Sequence, residues 1–98
     1  MKYRPDLVIL LDILESLDKE GVTISHICTY SNMPNPRVKE RLNQMIEGGL
    51  IEEVYTEDGK RLYRITDKGI KTRNKIRELV ILLSELGLIN VDRLNRKG

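Results

Sequence analysis

The 98 residues leave room for one compact domain, expected to span residues 1–98, and exclude two. At 40% hydrophobic and 33% charged, the chain is too apolar for a disordered segment and too polar for a membrane-embedded one. Its net charge of +2 does not by itself announce a nucleic-acid ligand, and one cysteine with one histidine completes neither an intrachain disulfide nor a structural zinc site, so no metal or cofactor is expected.

The first predicted element is a helix from Pro5 to Lys19, with proline in the first turn and Gly21 after the end. Leu7, Leu10, Leu11, Leu14 and Leu17 recur at helical spacing. Val8, Ile9 and Ile13 widen the apolar surface and leave a narrow polar strip around Asp12, Glu15 and Ser16. Such a helix needs cover on two sides, and in so small a domain the second cover is expected from another chain. Asp12 and Glu15 also interrupt the N-terminal apolar run, and no small-residue cleavage site follows, which points to a cytoplasmic chain.

After a Gly21-Val22 link, Thr23 or Ser25 can cap a brief helix that turns Ile24, Ile27 and Cys28 inward. It should stop near Asn32, because Ser31-Asn32-Met33-Pro34 reads as a turn. Asn35-Pro36 then reads as a helix start, the amide serving as N-cap and the proline as first residue. Val38, Leu42, Met45 and Ile46 form its inner face, and Gly48-Gly49 ends it. Leu50 to Tyr55 and Arg61 to Ile65 are β-favouring runs joined by Thr56 to Lys60, where Asp58-Gly59 supports a tight hairpin. Tyr63 and Ile65 share one face of the return strand, Leu62 and Arg64 the other.

Thr66 can cap a long helix from Asp67 to Leu86, roughly 30 Å at about 1.5 Å per residue, with Gly87 as its C-cap. Leu88 to Leu94 adds a short helical turn capped by Asn90, ahead of the basic tail Arg96-Lys97-Gly98. The first part of the long helix is basic: Lys68, Lys71, Arg73, Lys75 and Arg77 stand against Asp67, whereas residues 1–20 hold three basic and five acidic side chains. In the second part Ile76, Leu79, Val80, Leu83 and Leu86 recur at coiled-coil spacing, and Ile81 and Leu82 carry the apolar surface further round. Burying one such residue is worth roughly 1.5–3 kcal/mol, so the stripe is expected to pack in a two-fold homodimer, against its counterpart and against the partner's Ile9 and Ile13. The alternative is that these residues fill the protomer's own core.

Three segments then read together: Asn35-Pro36-Arg37-Val38-Lys39-Glu40-Arg41-Leu42, Gly48-Gly49-Leu50-Ile51 and Leu62-Tyr63-Arg64-Ile65-Thr66-Asp67-Lys68-Gly69. With the order helix, helix, turn, helix, hairpin, long helix, the chain resembles the small archaeal winged helix-turn-helix DNA-binding proteins over roughly residues 7–86. That family includes dimeric, chromatin-associated and regulatory members that pair through a long C-terminal helix. The resemblance implies a mostly helical α+β fold, with helix-turn-helix and wing over residues 5–66, a long helix over 67–86 and a short tail over 88–98. It also implies double-stranded DNA as partner, the helix 36–47 in the major groove, the wing 56–64 on the backbone, and residence on the nucleoid.

The residues support those roles in part. With Val38, Leu42, Met45 and Ile46 inward, the helix presents Arg37, Glu40, Gln44 and Glu47, flanked by Lys39, Arg41 and Asn43. Arginine suits guanine O6 and N7, and Gln or Asn suits adenine N6 and N7, which makes Arg37 and Gln44 the candidate readers. Glu40 and Glu47 repel phosphates, although a carboxylate can accept from cytosine N4. The free N–H groups at the helix start can seat one phosphate. On the wing Lys60, Arg61 and Arg64 outnumber Glu57 and Asp58, and on the preceding helix Ser25, His26, Thr29 and Tyr30 can donate to phosphate oxygens. Two other readings stay open: an architectural chromatin protein of low sequence preference, which the resemblance implies and the +2 charge with Glu40 and Glu47 opposes, and a module that docks on another protein, which the mixed face suits.

Nothing in the sequence marks a catalyst. His26 has no relay beside it, Cys28 falls on an inner face, and no phosphate-cradling, nucleophile-elbow or His-Glu-x-x-His motif occurs. Glu52 and Glu53 are neighbours on a strand and point to opposite faces, so they cannot act as a dyad. An enzyme is not expected.

Overall fold

A computed structural model describes residues 6–90, in the order α1 (Asp6–Glu15), α2 (Ile24–Ser31), α3 (Asn35–Glu47), β1 (Ile51–Tyr55), β2 (Arg61–Ile65) and α4 (Asp67–Glu85). This is the α+β, mostly helical order expected, with a two-stranded wing and a long last helix. Pro5, the basic tail and the part of the predicted Leu88–Leu94 turn that follows Asn90 lie outside the described residues; Leu88 to Asn90 carry no helix.

Helix α1 stops at Glu15 rather than Lys19, for a local reason. The Ser16 hydroxyl donates to the Ile13 carbonyl at 2.6 Å, the competition by which serine ends helices. Beyond it the Asp18 carboxylate accepts from the backbone N–H of Glu20 at 3.0 Å and of Gly21 at 2.7 Å, and Gly21 takes a φ of 120° that closes the turn. The Gly21-Val22 link then pairs with the sheet. Val22 and Tyr63 exchange backbone hydrogen bonds at 2.8 Å each way, and Ile65 N–H donates to the Asp18 carbonyl at 2.9 Å.

Thr23 caps α2, its hydroxyl accepting from His26 N–H at 3.3 Å, and Asn32 ends that helix in the left-handed conformation at φ 57°. Helix α3 begins one residue earlier than expected. Pro34 is its N-cap, with Asn35 and Pro36 the first two helical residues, and Asn35 makes no side-chain cap. The predicted amide cap is therefore corrected: with Pro34 extended at ψ 155°, Asn35 is already helical and its side chain points to solvent. At the far end Leu50 N–H donates to the Met45 carbonyl and Gly49 N–H to that of Ile46, while Gly49 supplies φ 80°.

Strands β1 and β2 pair antiparallel with Ile51 opposite Ile65 and Tyr55 opposite Arg61. Thr66 joins wing to last helix: its hydroxyl accepts from Gly69 N–H at 3.0 Å and donates to the Gly49 carbonyl at 2.7 Å. Gly87, at φ 76°, follows the C-cap residue Leu86.

The interior has two parts. The larger gathers Ile13, Leu14, Ile27, Val38, Leu42, Met45, Ile51, Tyr63 and Ile65 among helices α1 to α3 and the sheet. The smaller joins Val8 and Leu11 of α1 to Val80 of α4, with Ile76 touching both. Helix α1 is thus held on one side by the helix-turn-helix and on the other by α4 of the same chain. This corrects the expectation of a second cover from another molecule. It also leaves no polar strip in solvent, since Asp12 and Ser16 are both buried. Three of the residues assigned to a dimer surface are already used: Ile9 is 5% exposed, and Ile13 and Val80 are 0% exposed within the chain itself.

Arg77 fixes the α1–α4 pairing, its Nε donating to Glu15 Oε2 at 2.8 Å. Past it, α4 runs on with Leu79, Leu82 and Leu86 exposed and Leu83 partly covered.

Candidate nucleic-acid interface

Helix α3 lies on the surface by its polar side. Val38, Leu42 and Met45 anchor it, and the opposite face presents Arg37, Lys39, Glu40, Asn43, Gln44 and Glu47, all exposed. None of the described residues covers that face. Among the described residues Arg37 and Lys39 form no ion pair, so both cations are available to a ligand. Arg41 is placed differently. Its Nη2 donates to Asp6 Oδ1 at 2.8 Å, which ties α3 to the start of α1 and leaves its side chain 24% exposed.

The wing cations are held by carboxylates. Arg64 Nε lies 2.7 Å from Glu52 Oε1, its direct cross-strand partner, and Arg61 Nε lies 3.0 Å from Glu53 Oε2. The Arg61 guanidinium also stacks over the Tyr55 ring at 5.8 Å. Glu52 and Glu53 thus point to opposite faces and take one arginine each, as the strand alternation requires. Exposed pairs of this kind add little stability and exchange readily, so a phosphate can replace either carboxylate. Lys60, at the hairpin tip, is exposed and forms no ion pair among the described residues. The tip itself is ordered by Thr56, whose hydroxyl contacts the Asp58 carboxylate and accepts from Lys60 N–H at 2.9 Å.

Two walls meet between helix and wing. Asn35 and Lys39 of α3 face Tyr55, Gly59 and Arg61 of the hairpin across a groove whose base is closed by Ile24 and Tyr63. Asn35 and Tyr55 were not among the predicted site residues. Asn35 reads as a cap in the sequence, and the signal for Tyr55 is an exposed aromatic at a strand end, directly opposite Arg61. The helix start is a poorer anion seat than expected, because Pro36 has no N–H and Arg37 N–H already donates to the Pro34 carbonyl at 3.1 Å. On α2, Ser25, His26, Thr29 and Tyr30 are exposed, with the His26 and Tyr30 ring centroids 6.3 Å apart.

The described residues contain no group of His, Cys, Asp or Glu able to hold a metal ion, and no helix among them is long and apolar enough to cross a membrane. Cys28 is a half-buried free thiol packed against the core. What the site offers is a polar rod and a hairpin on one side of the molecule.

That arrangement is a winged helix-turn-helix, and the chain belongs to the winged helix-turn-helix family, whose profile matches residues 3–84. Among solved structures it is similar to Sso10a-2, a DNA-binding protein from Sulfolobus solfataricus, with 24% identity, 85% of each chain covered and a TM-score of 0.76. It is also similar to the transcriptional regulator BldR from Sulfolobus solfataricus, with 14% identity, a TM-score of 0.74, and coverage of 90% of this chain and 65% of that one. A MarR family transcriptional regulator from Silicibacter pomeroyi gives 24% identity, a TM-score of 0.65, and coverage of 89% and 61%. The chain therefore spans less than two thirds of the length of the latter two. At these identities the likeness shows the fold. No curated protein matches the chain in sequence.

Proposed function

We propose that this chain is a homodimeric double-stranded-DNA-binding protein, a transcriptional regulator acting on the nucleoid without catalysis. The observation that carries the reading is the uncovered polar face of α3, beside a hairpin on the same side of the molecule. A helix about 10–12 Å across fits a major groove about 12 Å wide. There Arg37 and Gln44 read bases, with Lys39 and Asn43 beside them, while Ser25 and the wing residues Lys60, Arg61 and Arg64 meet phosphates. Arg41 serves the site by holding α3 against α1 through Asp6. The similarity to Sso10a-2, a DNA-binding protein, and to BldR, a transcriptional regulator, supports the same reading.

The dimer forms through the far half of α4. Leu79, Leu82, Leu83 and Leu86 follow at i, i+3, i+4 and i+7 along one stripe, turned away from the Val80 side that packs on α1. Two copies joined there present paired α3 helices to successive major grooves, roughly 34 Å apart on one face of the duplex.

A binding-site selection on purified protein, followed by gel shift at low salt, tests the reading. A recovered consensus bound far more tightly than random duplexes supports a regulator. Even binding to all duplexes supports the architectural chromatin protein instead. Absence of any shift, with genomic fragments as well, leaves the protein-docking module, which the carboxylate-paired wing arginines favour.

A further inference from the structure

We infer that the groove between α3 and the wing seats one phosphodiester of the DNA backbone, shared by Lys39 from the helix and Arg61 from the hairpin. The inference rests on the DNA reading above and names which of its contacts act as a unit. When a helix occupies the major groove and a neighbouring hairpin reaches over the flanking backbone, a sugar-phosphate strand must pass between them. Among the described residues, the walls that face each other there are Asn35 and Lys39 on one side and Tyr55, Gly59 and Arg61 on the other.

Its chemistry fits a single phosphate. Lys39 and Arg61 bring two positive charges and Glu53, bound to Arg61, brings one negative, so the local balance matches the one negative charge of a phosphodiester. Asp58, three residues before Arg61, contacts the Thr56 hydroxyl. Glu53 engages the Nε edge of the guanidinium, Tyr55 one of its faces, and the Tyr63 and Tyr55 hydroxyls bond to it as well, yet with five N–H groups it keeps donors for a phosphate. The Asn35 amide, which caps nothing, adds a further donor on the opposite wall. Gly59, at φ 87°, has no heavy atom within 4 Å of where a Cβ would stand, so the wing wall is low there. A second groove, on the other side of the wing, offers no such seat. Its charges are matched among themselves, Lys19 with Asp67 at 2.9 Å and Arg64 with Glu52 at 2.7 Å.

The test uses the full chain and the duplex recovered by selection, with single backbone linkages replaced in turn by neutral methylphosphonate. Lys39→Ala and Arg61→Ala should each weaken binding to the unmodified duplex by about tenfold, the scale of one charge-assisted hydrogen bond. Both losses should vanish on the same one modified duplex, and the double variant should lose far less than the product of the two. Melting curves matching the parent's confirm that the variants fold. Losses that vanish at two different linkages, or at none, overturn the inference while leaving DNA binding intact. Saturable binding of inorganic phosphate at these side chains, with no loss in the duplex assay, also overturns it and reassigns the seat to a free anion. A parent chain that binds no duplex refutes the DNA reading itself, and the shared seat with it.

Discussion

Gly69 passes so close to the Leu50 carbonyl oxygen that a Cβ on it would collide with that backbone atom and with the Ile65 side chain. This contact packs the start of α4 against the exit of α3, and it explains the Tyr-x-Ile-Thr-x-x-Gly pattern of residues 63–69. Thr66 caps the helix, and the third residue after it must have no side chain.

Gly69→Ala should therefore destabilise the fold. Alanine favours a helix interior by up to about 1 kcal/mol over glycine, but forcing a methyl group against backbone costs roughly 1–3 kcal/mol or more. The clash wins because a carbonyl cannot rotate away as a side chain can. Urea unfolding measures it: a lower midpoint at unchanged slope is expected, and a variant as stable as the parent would show that the two segments are not in contact.

The elements that were legible in the sequence are those set by neighbours a few residues away. Val38, Leu42, Met45 and Ile46 define the inner face of α3, Asp58-Gly59 the hairpin, Thr66 the start of α4. What failed depended on distant partners. Helical spacing marks Val8, Ile9 and Ile13 as apolar but does not say that Val80 of the same chain will cover part of α1. Composition shows four arginines on helix and wing, yet only the fold brings Asp6 to Arg41 and Glu53 to Arg61. Asn35 reads as a cap because Asn-Pro usually does, while here the preceding proline takes that position.

Arg37 and Lys60 should separate base reading from backbone attraction. Arg37 lies on the uncovered face of α3, and Lys60 stands at the wing tip. Arg37→Ala should cost about 1–3 kcal/mol in binding and relax the preference at one base position. Lys60→Ala should weaken all sequences alike and reduce the slope of log affinity against log salt by about 1. Titrations of a selected and a scrambled duplex at several salt concentrations give both quantities. An Arg37→Ala loss that is equal on the two duplexes would remove its reader role.

The dimer surface should lie on one side of α4 only. Leu82 is 50% exposed in the single chain and sits between Leu79 and Leu86 on the proposed stripe. Ile81, 41% exposed, points well away from it, since Ile81 follows Leu79 by two residues, or about 200° of helix rotation. Leu82→Glu should yield monomers, because the interface would have to bury two carboxylates at its centre. Ile81→Glu should leave the mass unchanged. Sedimentation velocity reads both, and a parent protein that already sediments as a monomer would refute the interface.

Two exposed aspartates should titrate abnormally low. The Thr56 hydroxyl beside Asp58, aided by nearby backbone N–H groups, holds its carboxyl below the ordinary value of 3.8, and Lys19 at 2.9 Å does the same for Asp67. Because the folded value is the lower one, each group favours the folded state above about pH 3.8, and that contribution fades as pH falls through the depressed value. Carboxyl chemical shifts followed by NMR from pH 6 to about pH 2 report the midpoints directly. Thr56→Val should return Asp58 toward 3.8 and leave Asp67 where it was, and Lys19→Met should do the reverse. Midpoints that fail to respond to these substitutions would show that neither partner is the cause.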